Sequence, residues 1–357
     1  MRIQPRVAIA ALLVVLSLLS LAPQVHADPQ TEDLTHRLQE IYDLRARWLL
    51  TDDAPPEIDR DYTRARTAKW ALEHEYGKIR YLRQWAQNRK VRFIQSKPTI
   101  KVKQLRVNDE KARFYVEQSL ALGYVYPNEE HLNLFGVGTR HIIELKRQGE
   151  QWLINMEWYT DPLGDDTEVP DVTPALMPAI PTVRSAAAAP IVVKKGYDRE
   201  GAVRYADQYC GVAWGCGNEN RYNPRFRDYN GVGGDCTNFA AQVLREGGGL
   251  KVPIFTRVDG LAGHLQYSGR GSLASKGPFQ QVMKAAMNRP GGFPAWLKPG
   301  DMIAYQEKGE MAHFGVVTGF DSHGYPLVNS HTADRYHVPF DLGWDRKTVY
   351  WLFKLRD

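Results

Sequence analysis

The stretch Gly-Gly-Asp-Cys-Thr-Asn-Phe-Ala, residues 233–240, decides how the C-terminal part of this chain folds. Apolar residues recur after it with the spacing of one helix face, so the sequence predicts a helix that begins at Asp235 or Cys236. The side chains that this helix buries are Phe239, Ala240, Val243 and Leu244. Glycines at 247–249 end it. Cys236 therefore lies in the first turn of a buried helix.

The position of Cys236 indicates a nucleophile, because unpaired N–H groups at a helix start stabilise a thiolate and lower the pKa of the thiol. Glycines at 231, 233 and 234 allow close backbone approach, which suits an oxyanion pocket made of main-chain amides. A neighbouring carboxylate raises the pKa of a thiol, so we expect Asp235 to turn away and cap the helix.

A Cys-His hydrolase also needs a histidine from a second element within reach of the sulfur. His313 opens the apolar strand His-Phe-Gly-Val-Val-Thr-Gly directly after a polar turn. If the next turn, 321–324, carries a glycine bulge, His313 shares one strand face with Asn329 and His331. Either residue could then hold the His313 ring in the catalytic tautomer. A slip of one residue in register would turn both away.

The rest of the chain reads as two α+β domains. In the first, residues 28–160, helical spacing runs from 31 to 90 with a break at Pro55-Pro56, and alternating apolar residues then predict antiparallel strands. This order loosely resembles the cone-shaped nuclear-transport-factor-like architecture. The second domain, residues 196–357, begins with a helix for which Asp198 is the expected N-cap. Its predicted strands are 302–305, 313–320, 325–331 and 349–355.

The two domains are separated by a segment that cannot form a core. Residues 161–195 contain six prolines and a run of four alanines, so they predict a semi-extended linker and two domains that move independently. We expect the second domain to fold and react without the first, as a fragment that begins near Val192.

The first 27 residues read as a signal peptide. Arg2 and Arg6 precede an apolar stretch from Val7 to Leu21, and Val-His-Ala at 25–27 forms a small-residue cleavage site. An uncleaved anchor is the alternative. Cleavage predicts a secreted protein of the extracellular space or cell envelope, with no integral membrane segment left.

Charge and cysteine content narrow the function further. With 46 Lys+Arg against 41 Asp+Glu, the net charge of +5 is too weak to indicate nucleic-acid binding. The chain has three cysteines, and an odd count in an oxidising compartment leaves one free thiol. We predict a disulfide between Cys210 and Cys216, with Cys236 free. A zinc site built from the cysteines and a histidine is the alternative, although the five residues between the first two exceed the usual spacing of about two to four.

Three stretches resemble the putative amidase domain family, a papain-like group related to CHAP amidases. They are residues 233–240, 197–206 (Tyr-Asp-Arg-Glu-Gly-Ala-Val-Arg-Tyr-Ala) and 320–336 (Phe-Asp-Ser-His-Gly-Tyr-Pro-Leu-Val-Asn-Ser-His-Thr-Ala-Asp-Arg-Tyr), and the resemblance covers about 197–357. It implies a papain-like domain whose nucleophile helix packs on an antiparallel sheet. The implied roles are Cys236 as nucleophile, His313 as base and His331 or Asn329 as orienter. One departure is that the segment after the nucleophile helix lacks the Ser-Trp pair usual in the family.

Together these observations predict an exported cysteine amidase or peptidase that cleaves an amide bond without a cofactor. Its expected partner is a peptide or amide substrate, and for an exported enzyme a peptidoglycan stem peptide is the natural choice by analogy. The alternative is a catalytically degenerate amidase-like domain that acts as an extracellular binding module.

Overall fold

The computed structural model describes residues 29–51, 58–160, 163, 196–232, 234–268, 279–286 and 297–355. The predicted signal peptide, Gly233 and almost all of the predicted linker lie outside these ranges. The helices are α1 (Pro29–Leu49), α2 (Arg66–Arg89), α3 (Arg199–Gln208), α4 (Cys236–Gln242) and α5 (Val258–Ser268). The strands are β1 (Arg92–Val107), β2 (Lys111–Val125), β3 (Asn133–Gln148), β4 (Gln151–Tyr159), β5 (Phe279–Ala286), β6 (Met302–Glu307), β7 (Glu310–Phe320), β8 (Pro326–Ser330), β9 (Asp334–Pro339) and β10 (Val349–Leu355).

The α+β class is confirmed. In the N-terminal part, α1 and α2 flank the predicted break and are followed by the antiparallel strands β1 to β4. Helix α1 packs its apolar face on this sheet, where Leu34, Leu38 and Ile41 meet Phe114 and Ile143 in one buried cluster. The switch from a period of 3.6 to a period of two along the sequence therefore marks the change from helix to sheet.

The two parts of the chain share one sheet. The strand order is β1-β2-β3-β9-β8-β7-β6-β10-β5, with β4 also paired to β3. The connection is the antiparallel pair β3–β9, in which Val137 lies opposite Arg335. The independent movement that the linker composition suggested is not what this arrangement allows, because a shared backbone ladder joins the two parts directly.

The junction is also closely packed. A Cβ atom added at Gly136 in β3 would lie 1.9 Å from the backbone oxygen of Trp214, so the backbones approach more closely there than any side chain permits. One apolar core continues across the junction. Its buried aromatic members come from both parts and include Trp85, Phe93, Tyr124, Phe135, Tyr305, Phe340, Trp344 and Tyr350.

The opposite face of the C-terminal strands carries the helices α3, α4 and α5. Phe239 from α4 and Leu244 from the π-helical turn Val243–Gly247 that follows it belong to the same buried cluster as Phe314 in β7 and Phe353 in β10. Asp198 caps α3 as predicted, since its carboxylate accepts the Gly201 N–H at 2.8 Å. Strands β6, β7, β8 and β10 follow the predicted pattern, whereas β5 and β9 were not anticipated. None of the helices described is long and apolar enough to cross a membrane.

Candidate active site

Cys236 is the first residue of α4, as the sequence predicts, and its thiol is free and buried. Cys210 and Cys216 form the expected disulfide, with their Cα atoms 5.6 Å apart. The Cys236 sulfur interacts with the backbone N–H of Phe314 in β7 and lies 3.8 Å from the Thr237 hydroxyl. The thiol is therefore held at the surface of the sheet, next to the strand that carries His313.

The electrostatic environment of Cys236 differs from the expectation. Burial raises the pKa of the Cys236 thiol, and the Phe314 N–H and Thr237 hydroxyl offset this effect in part. The helix start does not lower that pKa as the sequence suggested, because desolvation of a thiol with only 6 % exposure outweighs the nearby amides. The resting form of Cys236 is therefore a neutral thiol.

Asp235 does not cap α4 with its side chain, which corrects the sequence-based expectation. One carboxylate oxygen accepts the Tyr229 N–H at 3.1 Å and the Asn238 amide at 2.7 Å. The other oxygen lies 2.5 Å from His331 Nδ1. The carboxylate thus ties the loop before α4 to the end of β8, and its charge contributes to the raised pKa of the Cys236 thiol, which the predicted capping orientation would have avoided.

Thr332 takes the capping role instead. Its hydroxyl oxygen accepts the N–H groups of Asp235 at 2.5 Å and Cys236 at 3.2 Å. Gly234 has φ +115°, and a Cβ atom at this position would lie 3.0 Å from the Thr332 hydroxyl oxygen. The glycine therefore permits the close backbone approach that the sequence indicated, and the N–H groups of Asp235 and Cys236 are directed at Thr332.

His313 lies near the start of β7, adjacent in sequence to Phe314. Its side chain is buried, and Nε2 has no hydrogen-bond partner among the described residues. Burial, together with the charges of Arg335 and His331, holds the pKa of His313 well below its ordinary value. The ring is therefore neutral at pH 7, which is the form that a general base requires.

Asn329 is not placed to orient His313. In β7, His313 pairs with Tyr305 and Val316 lies three residues further along without a bulge between them, so His313 and Val316 point to opposite faces of the sheet. Val316 pairs with Asn329, and Asn329 therefore lies on the face opposite His313. The Asn329 amide group donates to Asp207 at 2.8 Å, and its oxygen accepts from the Thr318 hydroxyl and the His337 N–H. The expectation that His313 and Asn329 share a face was wrong, because their register differs by one residue from the assumed one.

His331 is likewise engaged elsewhere. Nδ1 faces the Asp235 carboxylate and Nε2 lies 2.6 Å from the Tyr209 carbonyl oxygen, so both ring nitrogens point at acceptors. The rings of Tyr222 and Phe239 stack on its two sides at 3.8 and 4.0 Å. No hydrogen bond joins His331 to His313 in the part of the chain described. His331 instead supplies a fixed neighbour whose charge, when protonated, lowers the pKa of His313.

The sequence did not single out the aromatic residues that surround His313. Trp344 lies 5.3 Å and Tyr305 lies 5.7 Å from the His313 ring, measured between ring centroids. Trp344 stacks on Tyr305 at 4.1 Å and also lies beneath the Arg335 guanidinium. A lone tryptophan in a loop between strands gives no periodic signal, so only the fold brings it to the site.

No group of three or more His, Cys, Asp or Glu side chains within the described ranges is arranged to hold a metal ion. The zinc alternative also loses two of its ligands, because Cys210 and Cys216 are joined to each other. The chemistry that this site can perform rests on a buried thiol and a neutral imidazole.

These features define a class of protein in which a cysteine at a helix start packs beside a histidine-bearing strand. Residues 196–353 match the family model described as putative amidase domain. The match over this segment supports an amide hydrolase at a coarse level. A search of curated proteins and a search of solved structures found no match.

Proposed function

We propose that this protein is an exported cysteine hydrolase that cleaves a peptide or related amide bond. One observation carries the proposal: the free Cys236 thiol interacts with the backbone N–H of Phe314, and His313, the residue before Phe314 in β7, has an Nε2 without a partner among the described residues. The disulfide and the signal-peptide pattern support an oxidising compartment. Cell-wall peptide is the substrate class that fits an exported amidase.

In the proposed mechanism, the Cys236 sulfur attacks the amide carbonyl carbon while His313 Nε2 takes the thiol proton. The imidazolium then donates that proton to the departing amine as the carbon–nitrogen bond breaks. Water, deprotonated by His313, hydrolyses the resulting thioester, which releases the carboxylic acid and regenerates the thiol. A neutral thiol and a neutral imidazole at rest suit this sequence, because the proton moves only when the substrate is in place.

The roles of Asn329 and His331 follow from their contacts. We propose that both are structural: the first joins β8 to α3 through Asp207, and the second joins Asp235 to the Tyr209 carbonyl. The rival function is a binding module, which the deep burial of Cys236 favours because a buried thiol is commonly inert.

Incubation of the full chain with purified peptidoglycan and with a mixed peptide library, followed by mass spectrometry, separates these two functions. A hydrolase generates new amine and carboxyl ends, with one water added per cleaved bond, and Cys236→Ala abolishes these products. A binding module retains fragments whose masses do not change. Absence of new ends from every amide offered would contradict the proposal.

A further inference from the structure

One face of α2, in the N-terminal part of the chain, contacts the loop between β9 and β10. Tyr81, Trp85 and Arg89 occur at intervals of four residues, so they lie on the same side of the helix. The Trp85 indole N–H donates to Asp341 at 3.0 Å, and the Arg89 guanidinium forms a buried ion pair with the same carboxylate. Three successive turns of α2 therefore hold the loop that leads to Trp344.

Tyr81 makes the contact closest to the candidate site. Its hydroxyl oxygen accepts the N–H groups of Gly343 at 2.8 Å and Trp344 at 3.1 Å, and its O–H donates to the Trp344 carbonyl at 2.8 Å. Tyr81 is buried, so water cannot replace these bonds without local opening. The backbone position of Trp344 is thus set by a side chain from the other part of the chain.

Trp344 in turn limits where the His313 ring can lie. Cys-His sites commonly fix the imidazole with a hydrogen bond from a third residue. Here His313 Nε2 has no hydrogen-bond partner among the described residues, and the side chains of Asn329 and His331 are bonded to other groups. The rings of Trp344 and Tyr305, at 5.3 and 5.7 Å, are its packing neighbours. Aromatic packing takes the place of an orienting hydrogen bond.

We infer that Tyr81 is a positioning residue for the hydrolytic site: it holds Trp344 against His313, so that the N-terminal part of the chain completes the catalytic geometry of the C-terminal part. The inference rests on the proposed function for its catalytic meaning. The contacts themselves are independent of whether the protein turns over an amide.

The test compares Tyr81→Phe with Tyr76→Phe in the full chain. Tyr76 lies on the same helix, but its hydroxyl donates to Asp59 within the N-terminal part. Two readouts are needed: the NMR resonance of the His313 Cε1–H group, which senses the ring current of Trp344, and kcat with KM on a cleaved peptide. If Tyr81→Phe fails to fold, Trp344→Phe serves as a second variant, because it replaces the ring that packs against His313 with a smaller one.

We expect Tyr81→Phe to shift the His313 resonance and to lower kcat by about 10- to 100-fold at unchanged KM, the loss that a displacement of about 1 Å brings. Tyr76→Phe should change neither readout. An unmoved His313 resonance in folded Tyr81→Phe, or in Trp344→Phe if the former does not fold, overturns the inference. If the wild type cleaves nothing, the proposed function fails, and the NMR comparison still decides the positioning role.

Discussion

Replacing Asp341 with alanine should strongly destabilise the whole protein. The side chains of Asp341 and Arg89 are 0 % and 1 % exposed, and the carboxylate also accepts the Trp85 indole N–H. Removal of the carboxylate leaves a buried guanidinium without its counter-ion, and Nε and Nη1 of Arg89 already lack partners among the described residues. Loss of one member of a buried pair typically costs about 3–5 kcal/mol, so we expect the free energy of unfolding to fall by about that amount.

Urea denaturation followed by tryptophan fluorescence and by far-UV circular dichroism measures this loss. Because the two parts share a sheet and a core, both probes should report one transition in the wild type. Asp259→Ala is the matched control, since its ion pair with Arg257 is exposed and should contribute nothing measurable. A loss below about 1 kcal/mol in Asp341→Ala would refute the reasoning, because such values are typical of exposed pairs. Two separate wild-type transitions would refute the shared core.

Three further results are expected. Gly136→Ala should lower the melting temperature, because its new Cβ would overlap the Trp214 carbonyl, whereas Gly319→Ala, with no atom within 4 Å of its Cβ, should not. A fragment beginning near Val192 should aggregate instead of folding alone, because it exposes its half of the shared core; a soluble, cooperatively folded fragment would contradict this. Because burial lowers the pKa of His313, this histidine becomes protonated at a higher pH in the unfolded state than in the folded state. The free energy of unfolding should therefore fall as the pH drops below about 6.5, by up to about 1.4 kcal/mol per pH unit. His313→Gln should flatten that pH dependence in urea denaturation, and an unchanged slope would count against a buried neutral ring.

Local features of this protein could be predicted because their signals lie within a few residues. The start of α4 at Cys236 follows from glycines and an apolar spacing, and the Asp198 cap follows from its position before an apolar helix face. The disulfide follows from the close spacing of Cys210 and Cys216 and from the oxidising compartment that the first residues predict. Each of these predictions needed no information about distant partners.

The joining of the two parts could not be predicted, because the β3–β9 ladder is formed by backbone groups that carry no sequence signal. The register of β7 and β8, which lies at the candidate site, could not be predicted either. Thr318 is an extra residue between the pairs Val317–Val328 and Gly319–Leu327, and this bulge contributes to the register that places Asn329 on the face opposite His313. A prediction based on turn length alone puts the bulge elsewhere and reverses the faces.

Turnover by single variants tests the central claim most directly. Amide cleavage by the wild type should disappear in Cys236→Ala and fall by about 10²- to 10⁴-fold in His313→Ala, since the imidazole is the proposed acid and base. His36→Ala, which changes an exposed histidine on α1, should retain the wild-type rate. Wild-type turnover in folded Cys236→Ala protein would contradict the account, because no thioester could then form.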